Sequence, residues 1–204
     1  MKDEDVLHPG HRSIRLRDHD YSSPGFYFVT ICTHQKLSFF GRITSARMEL
    51  NRLGQIALQS WMGIPEHFAH VNLHAFVTMP NHVHGIIEIG CQAGAQHAAP
   101  LQEVRFGEVC WHGGALGSLS SIVRSFKAAV TARARKELDW KGDVWQRNYF
   151  ERTLRDGQEF SDASRYISEN PMKWEQDREN PKMKQAVEPE VSGARHAAPL
   201  LGKI

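Results

Sequence analysis

The chain lacks the features that mark membrane proteins and disulfide-bonded secreted proteins. No apolar run approaches the roughly 20 residues needed to cross a bilayer, and the charged N-terminus has no apolar signal core. The three cysteines, Cys32, Cys91 and Cys110, are odd in number and lack the spacing of a metal knuckle. They are typical of free thiols in a reducing compartment. We therefore expect a cytoplasmic protein without a membrane partner.

The chain also lacks a strong charge of either sign. Its formal net charge is +2 at pH 7, so a nucleic-acid partner can be argued only from local clusters of charge. With 204 residues, of which 41% are hydrophobic, the chain can bury the core of one domain with extensions. The informative features are therefore local motifs.

Three stretches lack the apolar periodicity of a folded core. Residues 1–20 are polar and basic and predict a flexible arm. Residues 90–116 predict a loop insertion, and residues 181–204 predict a disordered tail. A GA-x-HAAPL segment occurs once in the insertion and once in the tail, which suggests a repeated DNA element rather than a structural repeat. Residues 21–180 form the single predicted domain.

Hydrophobic patterning predicts a mixture of strands and helices in this domain. Strands are predicted over residues 26–33, 71–79, 82–89 and 145–155, with a short strand at the end of 39–50. Helices are predicted over residues 51–68, 118–138 and 158–170, with prolines at or near two of their ends. The second and third of the longer strands follow each other closely enough to form an antiparallel hairpin.

His82 and His84 stand at the head of a predicted strand, in the motif MPNHVHG. Side chains in a strand alternate, so both imidazoles emerge on one side while Val83 points to the other. Two imidazoles on one face can hold a divalent cation and leave coordination positions open. Such a pair in an arbitrary strand is more often incidental, so the rest of the chain must supply a third ligand and a nucleophile.

The last predicted helix carries Tyr166 and Asn170 in the motif RYISENP. Residues four apart share a helix face, so the two side chains point the same way. A phenol can attack phosphorus with the help of a nearby metal ion, and the Asn170 amide oxygen suits a hard cation. The alternative is that Tyr166 is a core residue and Asn170 a helix C-cap, and spacing alone favours that alternative.

A local excess of positive charge lies between residues 124 and 155, where arginines and lysines alternate with aromatic residues. Positively charged side chains can contact the phosphates of a single-stranded nucleic acid while aromatic rings stack on its bases. We expect Arg124, Lys127 and Trp145 to contact DNA. A solvated helix face would explain part of the same pattern.

The motifs MPNHVHG, WQRNYFERTLR and RYISENP occur in this order and together resemble those of the REP-associated tyrosine transposases. These enzymes are single-tyrosine members of the HUH (His-hydrophobe-His) superfamily, and the resemblance covers roughly residues 21–181. It implies an α+β fold with a ferredoxin-like core, a central antiparallel sheet with helices on one side, and a C-terminal helix carrying the tyrosine. The long 90–116 segment and the tail depart from the family pattern.

The resemblance also implies roles for individual residues. His82, His84 and Asn170 match the metal ligands, for Mg²⁺ or Mn²⁺, and Tyr166 matches the nucleophile. Arg147, Asn148 and Arg155 fall in the strand motif, and we expect them to contact DNA. The implied activity is a metal-dependent single-stranded DNA endonuclease and strand transferase, acting on palindromic REP-type hairpins through a 5′-phosphotyrosine intermediate.

Two other functions remain open at this point. The chain could be a non-catalytic hairpin-binding host factor derived from such a transposase, or a hydrolase whose histidine pair activates water. A DNA-acting protein of this kind is expected with the nucleoid in a bacterial cytoplasm, as a monomer or homodimer.

Overall fold

The computed structural model describes residues 23–90, 117–177 and 179–181. The predicted arm lies outside these residues, as do almost all of the predicted insertion and tail, with Cys91, Cys110 and both GA-x-HAAPL segments. Among the helices that are described, none is both long and apolar enough to span a bilayer.

The described residues form six strands and four α-helices. In order, they are β1 (Gly25–Cys32), β2 (Gly41–Thr44), β3 (Arg47–Leu50), α1 (Arg52–Met62), α2 (Ile64–His67), β4 (Val71–Thr78), β5 (His82–Ile89), α3 (Leu119–Leu138), β6 (Phe150–Leu154) and α4 (Gly157–Glu169). A short 3₁₀ turn follows β1, and a longer one, Asn170–Gln176, continues directly from α4.

Four strands form one antiparallel sheet in the order β4-β5-β1-β6. Helix α1 lies between β1 and β4 in the chain, and α3 lies between β5 and β6. This is the βαββαβ arrangement of a ferredoxin-like core. The predicted α+β fold, with a central antiparallel sheet and a C-terminal helix carrying the tyrosine, is confirmed.

One face of the sheet, here called the α1/α3 face, holds the main hydrophobic core. Trp61 of α1 is fully buried there, stacked on Phe76 with ring centroids 4.5 Å apart and meeting Phe126 edge-on at 5.4 Å. The indole lies so close to β5 that a Cβ on Gly85 would come within 2.3 Å of it. Only glycine permits this approach of helix and strand.

Helix α4 packs on the opposite side, here called the α4 face. Its residues Phe160, Ala163 and Ile167 recur at helical spacing and form a smaller apolar cluster with Ile86 and Leu154 of the sheet. Asp156 caps the helix by accepting a hydrogen bond from the Glu159 N–H. The core helices α1 and α3 therefore lie on one side of the sheet, as the resemblance implied, and the C-terminal helix α4 covers the other side.

Two segments between strands and helices differ from the prediction. Residues 41–50 form a complete hairpin rather than one short strand, turning through Ser45 and Ala46, both at positive φ. The predicted helix over 51–68 is divided at Gly63, two residues before Pro65, which was expected to end or kink it and lies in the first turn of α2.

The predicted strand over residues 145–155 is also shorter than expected, because β6 begins only at Phe150. The Lys127 ammonium group donates hydrogen bonds to the carbonyl oxygens of Gln146 (2.7 Å), Arg147 (3.4 Å) and Asn148 (3.1 Å). The Lys127 side chain therefore binds the carbonyl oxygens that would accept hydrogen bonds from a neighbouring strand if β6 included these residues. We call residues 145–149 the Lys127 loop.

Candidate metal and nucleophile site

His82 and His84 both lie on the α4 face of β5 and are buried. Their Nε2 atoms are 3.0 Å apart. Burial lowers the pKa of His82 well below its ordinary value, and lowers the pKa of His84 to about 3. Both imidazoles are therefore neutral at pH 7, which is the form that binds a metal ion.

Hydrogen bonds on the far side of each ring orient the pair. The Asn81 amide nitrogen donates to the carbonyls of Lys36 and Glu179, so its oxygen faces His82 and accepts from Nδ1 at 2.8 Å. Thr30 Oγ1 lies 2.8 Å from His84 Nδ1 and can accept its proton. Both contacts leave an Nε2 lone pair for a cation, as the outer partners of metal-binding histidines commonly do.

Asp177 joins the two histidines from the end of the 3₁₀ turn that follows α4. Its Oδ2 lies 4.0 Å from His82 Nε2, and potential ligand atoms of all three residues lie within 4.8 Å of one another. The Asn170 side chain is buried beside them and hydrogen-bonds to Asp177. The structure thus brings the predicted third ligand, Asn170, together with an acid that the sequence analysis did not name.

Two buried oxygens of this cluster indicate that it suits a metal ion. Asn170 Oδ1 and Asp177 Oδ2 have no hydrogen-bond partner among the described residues. Unpaired buried oxygens are costly, and a hard divalent cation would satisfy them. Two imidazole nitrogens and two such oxygens are a donor set that fits a divalent metal ion.

Asp177 is held in place by a turn that returns to the sheet. Its carboxylate accepts from the Glu179 N–H at 2.7 Å, and the Glu179 carbonyl accepts from Asn81 at 2.7 Å. Glu179 also forms an ion pair with Lys36. One residue, Asn81, therefore contacts both the ring of His82 and the segment that carries the acid.

Tyr166 lies on α4 at the rim of the cluster. Its ring centroid is 5.3 Å from that of His84 and 6.1 Å from that of Phe28, and 45% of the residue is exposed. It is therefore not the core residue that spacing alone favoured. Asn170 does occupy the C-cap of α4, and its side chain turns toward Asp177 at the same time.

The residues predicted to contact DNA divide into two groups. Arg124, Arg147, Asn148 and Arg155 are exposed. Trp145 is only 8% exposed and packs against Phe40 and Phe126 at centroid distances of 5.2 and 5.4 Å, so its indole is not available to stack on a base.

Lys127 differs from expectation in another way, because its ammonium group holds the Lys127 loop instead of pointing to solvent. That loop borders the site: the Gln146 N–H donates to the carbonyl of Cys32, and Cys32 pairs with His82 across the sheet. Lys127 thus fixes the backbone of the exposed Arg147 and Asn148 near the histidine pair.

A second polar pair lies farther along the α4 face. His74 Nε2 of β4 lies 2.8 Å from the buried carboxylate of Glu88, which also accepts from Asn72 at 3.3 Å. The ring of His74 meets Phe160 of α4 edge-on at 5.2 Å. This pair supports the helix that carries Tyr166.

An uncharacterized protein of Haemophilus influenzae is 46% identical over 166 residues, which cover 81% of this chain and 91% of that protein. The chain belongs to the same family as that protein. No protein-family model matches the chain.

Among solved structures, a REP-associated tyrosine transposase bound to a REP hairpin is similar to this chain with a TM-score of 0.50. The similarity covers 82% of this chain and 74% of that chain, at 16% sequence identity. At this level of identity the likeness establishes a shared fold, and it is the fold that the three motifs predicted.

Proposed function

We propose that the chain is a metal-dependent single-stranded DNA endonuclease and strand transferase that acts on palindromic, REP-type hairpin DNA. The observation that carries the proposal is the half-exposed ring of Tyr166 beside His84, whose Nε2 lies 3.0 Å from that of His82. A potential nucleophile and a potential metal site thus lie side by side. The fold shared with a REP-associated tyrosine transposase supports the choice of substrate.

His82, His84 and Asn170 would hold Mg²⁺ or Mn²⁺, with Asp177 as a further ligand. A divalent ion bound there would withdraw charge from the phosphate. The chain's own contribution is to keep both imidazoles neutral through burial and to aim them through Thr30 and Asn81.

Tyr166 supplies the attacking oxygen. A bond forms between its phenol oxygen and phosphorus, the bond from phosphorus to the 3′ oxygen breaks, and the phenol gives up a proton while the leaving 3′ oxygen gains one. The products are a 5′-phosphotyrosine and a free 3′-OH. Because the covalent link conserves the phosphodiester, a second 3′-OH can displace the tyrosine without ATP.

The exposed Arg124, Arg147, Asn148 and Arg155 are proposed to contact the DNA. The first two and Arg155 carry charge for phosphates, and Asn148 can bond to base edges or to the backbone. The protein would act as a monomer or homodimer in the cytoplasm, where its substrate lies.

The test is to incubate the protein with a labelled hairpin that carries single-stranded flanks, in Mn²⁺, and to look for a covalent adduct on a denaturing gel. Tyr166→Phe is the matched variant, because it keeps the ring against His84 and removes only the hydroxyl. We expect an adduct with the native chain and none with the variant.

Each other outcome contradicts a defined part of the proposal. An adduct that persists in Tyr166→Phe contradicts the assignment of the nucleophile. Cleavage that survives in Tyr166→Phe without attached protein indicates a hydrolase that activates water. Hairpin binding by the native chain with neither cleavage nor adduct, over several flank sequences, indicates a non-catalytic binding factor.

A further inference from the structure

Phe150, the first residue of β6, stands in the same row of the sheet as His84. The register pairs Phe150 with Thr30 and Thr30 with His84. Residues opposite each other in antiparallel strands project to the same face. Two strand spacings put the Cα atoms of His84 and Phe150 about 10 Å apart.

Two contacts establish which face this row occupies. Thr30 Oγ1 bonds to His84 Nδ1, so both side chains lie on the α4 face. Leu154, four residues along β6 from Phe150, belongs to the apolar cluster beneath α4. Because alternate residues of a strand share a face, Phe150 projects from the same side of the sheet as Tyr166.

Phe150 is 38% exposed, whereas the neighbouring rings of Phe26 and Phe28 pack against the α4 cluster. Single exposed apolar residues are common on proteins, so exposure alone indicates nothing. The position is what distinguishes this ring: it lies on an edge strand, in the same row as the proposed metal ligand His84, and on the face of the sheet that carries Tyr166.

The same strand offers a charge next to the ring. Arg152 shares the face of Phe150 and is exposed, forming an ion pair with Glu159 of α4 at 3.1 Å. A ring that can stack on a base, followed on the same face by a guanidinium that can meet a phosphate, is typical of surfaces that bind single-stranded nucleic acid.

We infer that Phe150 is a stacking platform for one unpaired nucleobase of the DNA flank, beside the phosphate that Tyr166 attacks. The inference rests on the proposed function and deepens it, because it names a residue that binds the strand at the site. Every base has a face on which an aromatic ring can stack, so Phe150 would bind any unpaired base with little preference for its identity.

The experiment measures hairpin affinity with a series of DNAs, each having one abasic nucleotide at a successive flank position. All proteins carry Tyr166→Phe, so that binding is measured without covalent chemistry. With Phe150 present, we expect one flank position at which the abasic nucleotide weakens binding about 5- to 150-fold, the range for base–aromatic stacking. Phe150→Ala should weaken binding of intact DNA by a similar factor and abolish the sensitivity at that position.

Phe150→Trp should restore the sensitivity, because it returns an aromatic face. Met62→Ala is the matched control, since Met62 is 64% exposed on α1, and α1 packs on the opposite side of the sheet. It should bind the whole series as the parent does.

Two results would overturn the inference. One is equal affinity of the Phe150→Ala and parent proteins for intact DNA. The other is an abasic nucleotide at the sensitive position that weakens binding by the same factor in the Phe150→Ala protein as in the parent. The proposed chemistry fails separately: a position-specific effect that disappears in Phe150→Ala, together with no adduct when Tyr166 is intact, contradicts the nuclease while supporting the stacking.

Discussion

The two faces of the central sheet are built from alternate residues of the same strands, yet they have different roles. On the α1/α3 face, β1 and β5 contribute apolar residues to one continuous core: Tyr27, Val29, Ile31, Val83, Ile87 and Ile89. On the α4 face the same strands contribute polar and reactive residues, Thr30, Cys32, His82, His84 and Glu88, beside the apolar Phe26, Phe28 and Ile86. One strand thus supplies stability with one set of side chains and a site with the other.

The difference shows how a small domain can tolerate buried polar atoms that lack partners. Two helices close the α1/α3 face around Trp61, whereas one helix and a 3₁₀ turn close the α4 face. The unpaired oxygens of Asn170 and Asp177 lie on the second face, where they cost stability that the first face can offset. Substitutions on the two faces should therefore affect different properties.

The largest effect on stability is expected from Trp61→Ala. Removing this fully buried indole should lower the free energy of unfolding by about 3–5 kcal/mol, because a cavity remains between α1 and β5. Urea denaturation followed by far-UV circular dichroism measures it. Tyr166→Ala, on the other face and half-exposed, should cost less than about 1 kcal/mol. Equal losses for the two variants would contradict the division of roles between the faces.

The next effect concerns the metal ion. Mn²⁺ at 100 times its dissociation constant should raise the free energy of unfolding by about 2.7 kcal/mol, because it binds only the folded chain. The double variant His82→Ala/His84→Ala should lose this response, and EDTA should remove it from the parent. His74→Ala is the control, since His74 lies on the same face but bonds to Glu88. A response that His74→Ala also abolishes would argue against the assigned ligands.

A smaller effect is expected from the residues that orient the histidines. Thr30→Val keeps the shape of the side chain but removes the hydroxyl beside His84 Nδ1, so Mn²⁺ affinity should fall about 10- to 100-fold. Titration calorimetry measures the change, with Thr44→Val, at an exposed position of β2, as the control. Unchanged affinity in Thr30→Val would show that this contact does not aim the ring.

The smallest effect is expected at Lys127, a charge of α3 that reaches the Lys127 loop. Lys127→Met should lower the free energy of unfolding by about 1 kcal/mol, because the loop carbonyls lose their shared donor. It should also weaken hairpin binding through Arg147, so a double-mutant cycle with Arg147→Ala should be non-additive. Lys136→Met, exposed on the same helix, is the control. Additive effects would show that Lys127 does not act on hairpin binding through Arg147.

The sequence was most informative where a regular hydrophobic pattern begins at a clear break or cap in the chain. Strand β5 runs over the predicted residues 82–89, because Pro80 and Asn81 interrupt the chain and every second residue is apolar. Helices α3 and α4 likewise begin within one residue of their predicted starts, at Ser118 and Asp156 caps. Local patterns of this kind determine the fold and place His82, His84 and Tyr166 on their elements.

Features that depend on contacts between distant segments could not be read from local patterns. Asp177 lies beyond the last periodic helix, and its position depends on the return of the chain to Asn81, 98 residues away from Glu179. Trp145 and Lys127 were predicted to contact DNA from composition alone. Their actual roles, in the core and on loop carbonyls, depend on how α3 meets the end of β1.

The proposed function requires that Tyr166 of α4 cuts DNA beside a metal ion held by the sheet. The most direct measurement is mass spectrometry of the adduct trapped on a flanked hairpin in Mn²⁺, with digestion to find the modified peptide. We expect a nucleotide joined through its 5′ phosphate to Tyr166, and no such peptide in His82→Ala/His84→Ala. A nucleotide on any other residue, or cut DNA with a free 5′ end and unmodified Tyr166, would contradict it.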